Sequence, residues 1–361
     1  MPREGIERIL LKLKGGDKQL SKHTVPYWEL GNSDTFTQRI FLASPRGSYL
    51  AWSDPDSGAL RVRGGAARER VIARVAGRDA RFSPDESRLA AIRSGDGDAA
   101  EVVVLDLVSG ELSRLGSVGA PLWMEWVQGG VVVSHQDKDK VTITYMPLDG
   151  GKPSTVASGT ATDLNGRFTT AKRGHLAMYF FQRRAYVVDV EAAEADARQV
   201  GELTANIDNA EMAPDGSEAA VVVIGGGIYR WKNGGELAQL GMETAHTVWY
   251  SADGSELAYA STEKAVVLAE GTRRELTAKD YDLNAMRFHG DQLVVSMGSK
   301  ALLWNPKTGT TKLLGRSAKG QTVQAADLYQ GGTVLWTREI HRFGERRAPR
   351  NARFDALDLP D

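Results

Sequence analysis

The sequence predicts an all-β repeat protein, and three observations carry that prediction. A short phrase recurs along the chain, its copies lie about 40 residues apart, and the runs between them are rich in β-branched and aromatic residues. The clearest copy is Arg81-Phe82-Ser83-Pro84-Asp85-Glu86-Ser87-Arg88-Leu89-Ala90-Ala91. The others are Ala43-Ser44-Pro45-Arg46-Gly47-Ser48-Tyr49-Leu50-Ala51, Met212-Ala213-Pro214-Asp215-Gly216-Ser217-Glu218-Ala219-Ala220 and Tyr250-Ser251-Ala252-Asp253-Gly254-Ser255-Glu256-Leu257-Ala258. Weaker copies begin at Trp126, Lys172, Phe288 and Leu328. Anchored on the first residue of the resumed strand, the copies stand at Leu50, Leu89, Val131, Leu176, Ala219, Leu257, Leu293 and Thr333, with steps of 36 to 45 residues. A period of roughly 40–45 residues with four strands is that of a β-propeller blade. The expected fold is a single β-propeller of eight blades, with seven as the alternative. An N-terminal strand closes it, and a short N-terminal helix precedes that strand.

Each element follows from local chemistry. Residues 3–14 read as an amphipathic helix, because Ile6, Ile9, Leu10 and Leu13 fall at i, i+3, i+4 and i+7 and Gly15-Gly16 would end it. Twelve residues are too few for an isolated helix, so this one needs a surface to fold against. It is a candidate docking helix for a partner protein. Residues 1–22 form that helix and a linker, and residues 23–361 form the propeller. Thr24-Val25-Pro26-Tyr27-Trp28-Glu29-Leu30 is the expected closing strand.

Within each unit, the proline of the phrase belongs at a turn because it fixes φ and lacks an N–H. Asp and Gly supply the reversal. A second apolar strand follows, as in 102–107, 141–145, 185–190, 227–231, 265–268 and 301–304. A glycine turn then leads to an edge strand such as 112–115 or 311–314. The last repeat supplies strands at 323–326, 333–337 and 353–357, leaving the fourth to the N-terminal strand. Between Arg338 and Arg353 lies an insertion with the chain's only local basic cluster, including Arg342, Arg346, Arg347 and Arg350. It reads as a solvated loop or a second partner contact.

Composition narrows the functional classes. Forty-five basic and 46 acidic residues leave a net charge of −1, so no bulk charge points to nucleic acid. The absence of cysteine excludes disulfides, thiolate catalysis and Cys-based zinc sites. No run of about 18 apolar residues is present, so no transmembrane segment is expected. The opening Met1-Pro2-Arg3-Glu4-Gly5 does not begin a signal peptide. A cytoplasmic location is expected if Met1 is the native start, and a periplasmic one if an export signal has been removed.

The Ser-Pro-Asp-Gly-Ser-x-Leu-Ala phrase resembles the propeller repeat of TolB-like and WD-type proteins over about residues 40–340. The Gly-His and Trp-Asp signatures of WD repeats are absent, so the bacterial TolB-like variety is the nearer match. The resemblance implies the fold. It embraces periplasmic assembly factors, propeller domains of peptidases and many scaffolds.

Catalytic motifs are scarce. The six histidines (His23, His135, His175, His246, His289 and His341) have no metal-binding helical spacing, and His175 and His289 occupy turns of the phrase. No Gly-x-Ser-x-Gly elbow occurs. Gly225-Gly226-Gly227 lacks a following Lys-Ser/Thr and reads as a hairpin turn rather than a phosphate loop. Asp96-Gly97-Asp98 with Glu101, and Asp280-Tyr281-Asp282, lack calcium-loop spacing. Asp79, Glu125, Asp163, Asp208, Glu211, Asp282 and Asp327 stand on the first strands of their units, where converging acids would suit a metal-dependent lactonase or lyase. Acids facing water at a channel mouth explain them equally.

The expected function is therefore a non-catalytic protein–protein interaction scaffold without cofactor, metal or catalytic residues. It would contact one or more proteins through Ile6, Ile9, Leu10 and Leu13 and through Arg342, Arg346, Arg347 and Arg350. Trp28, Trp123, Trp126 and Trp249 are further candidate contacts. A propeller enzyme is the alternative.

Overall fold

The structure is a computed structural model. It describes every residue except 1, 14–15, 27–40, 55–56, 65–66, 74, 96–98, 192–196, 226, 242, 262, 270, 278–282, 331 and 343–361. Every element among the described residues is a β-strand.

The chain opens with β1 (Pro2–Leu13) and β2 (Gly16–Pro26). The strands β3 (Phe41–Ala43), β4 (Tyr49–Asp54), β5 (Ala59–Gly64) and β6 (Ala67–Ile72) make the next sheet. After it come β7 (Val75–Phe82), β8 (Arg88–Ser94), β9 (Ala100–Asp106) and β10 (Leu112–Val118). The fourth group is β11 (Ala120–Val127), β12 (Gly130–Asp137), β13 (Lys140–Pro147) and β14 (Ser154–Thr160). The fifth is β15 (Leu164–Thr170), β16 (Leu176–Phe181), β17 (Arg184–Asp189) and β18 (Arg198–Glu202). Then follow β19 (Ile207–Met212), β20 (Glu218–Val223), β21 (Gly227–Lys232) and β22 (Ala238–Gly241). The seventh group is β23 (Thr247–Tyr250), β24 (Glu256–Ala260), β25 (Lys264–Ala269) and β26 (Thr272–Thr277). The chain continues through β27 (Leu283–His289), β28 (Gln292–Met297), β29 (Lys300–Trp304) and β30 (Thr311–Arg316), and ends with β31 (Gln321–Tyr329) and β32 (Gly332–Arg342).

Eight four-stranded sheets result among the described residues. Seven are built from four consecutive strands, and the remaining one joins the two ends of the chain in the order β2-β1-β32-β31. The second-strand segments read from the sequence fall on strands, with 102–107 and 185–190 running one residue past β9 and β17, and the edge segments 112–115 and 311–314 fall on strands too. By compactness the chain divides into one unit of residues 1–73, 262–267 and 273–361 and another of residues 74–261 and 268–272.

The N-terminal segment differs from expectation. Residues 2–13 are a strand and not a helix, paired antiparallel with β2 on one side and β32 on the other. Gly5 stands opposite Val25 and Ile340, and Leu11 opposite Lys18 and Val334. Tertiary pairing decides the outcome here. A 12-residue helix carries little stability of its own, whereas β1 finds hydrogen-bonding partners along both edges. The linker expected between the helix and residue 22 is part of β2 for the same reason. The last sheet thus takes two strands from each end of the chain instead of one and three. The expected strand at 353–357 lies outside the described residues, and Arg338–Arg342 extend β32 rather than beginning a loop.

Apolar side chains pack between consecutive sheets. In the second unit, Ala90, Ile92, Val102 and Val104 meet Met124, Trp126, Val131 and Val133. Farther along, Phe180, Val187, Met212, Val221 and Trp231 share one cluster. In the first unit, Leu11, Tyr329 and Val334 pack on Ala43, Leu50 and Trp52. Gly166, at φ +76°, shows how close this packing is. A Cβ there would stand 2.6 Å from Leu122 Cδ1, so a larger residue would add left-handed backbone strain to a shift of the Leu122 side chain.

The repeated phrase is a hydrogen-bonded turn. At Ser251 the hydroxyl donates to Asp253 Oδ1 (2.6 Å) and accepts the Glu256 N–H (2.9 Å), while the Ser255 N–H donates to Asp253 Oδ1 (3.1 Å). The turn at Ser83 repeats this pattern through Asp85, Ser87 and Arg88. Asp215 accepts the Ser217 N–H and hydroxyl at 3.0 and 2.7 Å. The left-handed position of the turn is glycine at Gly47, Gly216 and Gly254, with φ of 74°, 77° and 82°, but Glu86 holds it at 62°.

The serine hydrogen bonds lower the carboxyl pKa of Asp253, and the Ser217 N–H does so at Asp215. A carboxyl held below its ordinary value of 3.8 contributes its full stability above that value and loses it as pH falls through the depressed folded value. We therefore expect Asp215→Asn and Asp253→Asn each to destabilise the protein at pH 7. Solvent screening limits the loss to under about 1 kcal/mol per turn. In urea melts, the gap between parent and variant should narrow as pH falls below 3.8 and the parent carboxyls protonate.

Candidate functional site

The first strands of successive sheets lie side by side. In the second unit β11 packs against β7 and β15, and β19 against β15 and β23. In the first unit β31 packs against β27 and β3. Each first strand ends in a hairpin with the second. Within each unit, the residue paired one position past the anchor of the second strand sits at a matching level in neighbouring sheets. Register places Arg81 opposite Ala90, Glu125 opposite Val132, Glu211 opposite Ala220, Arg287 opposite Val294 and Asp327 opposite Val334. Opposite charges on neighbouring first strands meet at this level.

Arg287 Nη1 donates to Asp327 Oδ2 at 2.9 Å, and the other Asp327 oxygen accepts the Leu328 N–H. Arg81 Nε lies 3.7 Å from Glu125 Oε1. Lys172, just beyond β15, donates to Glu211 in a short ion pair. Burial raises the Glu211 pKa, and the Lys172 ammonium opposes that rise. Glu125 also pushes it up and Arg81 pulls it down, so these four groups share one field.

Further hydrogen bonds join the first strands. The Trp126 indole N–H donates to the Arg81 carbonyl at 2.7 Å. The Met212 N–H donates to Thr169 Oγ1 at 2.9 Å. Trp126 thus packs between sheets, as its strand position suggests. Arg167 Nη1 donates to the Asp208 carbonyl at 2.8 Å.

Six of the seven sequence-derived acids lie among the described residues, and they do not share one level along their strands. Glu125, Glu211 and Asp327 stand near the ends of their strands, with cations. Asp163 precedes β15, where it accepts hydrogen bonds from Thr160 Oγ1 (2.8 Å) and Gln182 Nε2 (3.1 Å) that lower its pKa. It lies about 20 Å along the strand from the level of Glu125, at roughly 3.3 Å per residue. Asp208 is three residues, about 10 Å, ahead of Glu211. Asp79 is on β7, and Asp282 lies outside the described residues. Among the described residues, no three His, Cys, Asp or Glu side chains are grouped so as to hold a metal ion.

The expected partner-binding residues fall elsewhere. Ile6, Ile9, Leu10 and Leu13 are on β1, with their backbone paired in the last sheet. They cannot present the face of a docking helix. Arg342 ends β32, while Arg346, Arg347 and Arg350 lie outside the described residues, as does Trp28. Sequence reasoning missed Arg81, Lys172 and Arg287. Aligning the repeats on their hairpins would have found Arg81 and Arg287, because each occupies the position of Glu125 in its own copy.

No family model matches the chain, and no curated protein matches it. Solved structures do. Hsv2 of Kluyveromyces lactis is 13% identical with a TM-score of 0.53, over 76% of this chain and 96% of that one. The β-propeller domain of the Trilobed protease from Pyrococcus furiosus is 10% identical with a TM-score of 0.54, over 76% and 97%. A prolyl endopeptidase structure is 16% identical with a TM-score of 0.58, over 86% of this chain and 55% of that one. At these identities the likeness shows the fold alone, an all-β β-propeller. A 76% share of 361 residues is about 274, or close to seven periods of about 40, so the shared part corresponds to the seven-bladed alternative.

The ion pair on Glu211 generates a prediction. Lys172→Met leaves a buried carboxylate without its counter-charge. We expect a loss of about 2 kcal/mol at pH 7 by chemical denaturation, less than for a fully buried pair because Lys172 is partly exposed. A carboxyl whose folded pKa is raised gains relative stability as pH falls through that value towards the ordinary 4.5. Much of the loss should therefore be recovered at pH 4.5, and the double variant Lys172→Met/Glu211→Gln should show little of it at any pH.

Proposed function

We propose that the protein is a non-catalytic interaction scaffold that binds one or more proteins within a larger assembly. The observation that carries this reading is the pairing of Glu125, Glu211 and Asp327 with Arg81, Lys172 and Arg287. Acids used in this way tie neighbouring sheets together and are not poised as general bases or as a ligand set. A rigid frame of sheets joined by loops suits such a role, because loops on a fixed scaffold are where binding groups usually sit. The Ser-Pro-Asp-Gly-Ser phrase, without WD signatures, favours a TolB-like repeat from a bacterial source. The eight four-stranded sheets favour eight blades for the whole chain, with seven as the alternative that the neighbours' coverage supports. The basic stretch from Arg342 through Arg350 is the preferred partner contact, since β1 is engaged within a sheet.

The test is affinity capture from the native host with the full chain and with an Arg346→Ala/Arg347→Ala/Arg350→Ala variant, followed by mass spectrometry and metal analysis. A stoichiometric protein partner that the triple variant loses is the expected result. Absence of any partner, together with one divalent ion per chain that Glu211→Gln removes, would overturn the scaffold reading in favour of a metal-dependent enzyme.

A further inference from the structure

The hairpin that joins β21 to β22 carries the pair Asn233-Gly234 at its tip. The Gly235 N–H donates to the Lys232 carbonyl at 2.9 Å, so Asn233 and Gly234 are the two central residues of a β-turn. Gly234 has φ of 83°, the left-handed value that the second central position of a type II turn requires and that glycine adopts without strain. Both residues are exposed. The Asn233 backbone N–H donates to the Ser217 carbonyl at 2.8 Å, but neither the Asn233 side-chain amide nor the Gly234 N–H makes a hydrogen bond among the described residues. A Cβ on Gly234 would meet nothing within 4 Å, so the space around this residue is open.

No other asparagine among the described residues combines these features. Gly166 follows Asn165, but it is buried in β15, where a Cβ would stand 2.6 Å from Leu122 Cδ1. Asn305 Oδ1 accepts the Lys307 and Thr308 N–H groups at 2.9 and 3.1 Å, and Pro306 after it has no N–H. Ile207, Ala210 and Ala285 follow the remaining three, Asn206, Asn209 and Asn284, and their Cβ atoms crowd the backbone nitrogen. We propose that Asn233 is a site of spontaneous deamidation, which converts this turn to an isoaspartyl linkage. The Gly234 nitrogen attacks Asn233 Cγ. The N–Cγ bond forms and the Cγ–Nδ2 bond breaks. Ammonia leaves with the proton that the Gly234 nitrogen gives up through water. Water then opens the cyclic imide. Opening at Cγ yields aspartate, whereas opening at the backbone carbonyl frees an α-carboxylate and routes the chain through Cγ, one methylene longer. That longer link lies inside the turn closed by the Gly235–Lys232 bond. The Gly235 carbonyl also accepts the Trp231 indole N–H at 3.2 Å, and Trp231 is fully buried beside Met212, Val221 and Tyr229. The change therefore reaches from an exposed turn to the core of its sheet.

Ageing the full chain at mildly alkaline pH tests the site, with peptide mass mapping and with methyl transfer by a protein isoaspartate methyltransferase as readouts. The expected result is the mass gain of amide-to-acid exchange at Asn233, with isoaspartate exceeding aspartate, at a rate at least roughly tenfold above that at Asn165, because only Gly234 has a mobile, unpacked backbone nitrogen. Asn233→Gln, whose side chain would have to close a larger ring, should take up little methyl label after the same ageing. An Asn233 amide that survives as long as that of Asn165, equal label in Asn233→Gln, or aspartate as the sole product would overturn the proposal. None of these outcomes involves a partner, so failure here would leave the scaffold reading, which rests on partner capture, untouched.

Discussion

Antiparallel pairing between β1 and β32 is the contact on which the first unit depends. A blade-like sheet cannot bury both of its faces alone; each gains its core from the sheets on either side. The sheet at the chain's ends has only β31 and β32 from its own repeat. Without β1 and β2 it would be a two-stranded ribbon, which is marginal in water. Leu11, supplied by β1, then completes the cluster of Leu50, Trp52, Tyr329 and Val334. The first residues of the chain therefore stabilise the last, and the sheet between β30 and β3 exists only when both are present.

Polar chemistry in this fold follows the same repeat logic as packing. In the second unit the first strands carry Arg81, Glu125 and Glu211 and in the first unit Arg287 and Asp327, and within each unit unlike charges on adjoining sheets meet. Such pairs are modest in net stability and strong in specificity, since a mismatched neighbour would leave a charge poorly solvated.

What could be read from the sequence was whatever is local. The Ser-Pro-Asp-Gly turn, its anchors and the second strands depend on residues within a few positions of one another, and all appear where expected. The N-terminal segment failed because Ile6, Ile9, Leu10 and Leu13 satisfy a helical period over too short a stretch to exclude a strand, and the deciding partner, β32, lies more than 300 residues away. The acids were visible singly, but their different positions along the strands were not. Asp163 and Glu125 look alike in sequence, and only register shows one capping a turn and the other facing a cation. Arg81 and Arg287 escaped notice beside the acids, although each pairs with the residue one past the anchor of its second strand, as Glu125 does.

The most direct test of this account is hydrogen exchange at the N-terminus of the intact chain. If β1 is the strand that completes the last sheet, the amides of Ile6 through Lys12 should exchange as slowly as those of Val334 through Arg338 on β32. Exchange of those N-terminal amides at the rate of a frayed terminus, with β32 still protected, would contradict the shared sheet and return the segment to an independent element.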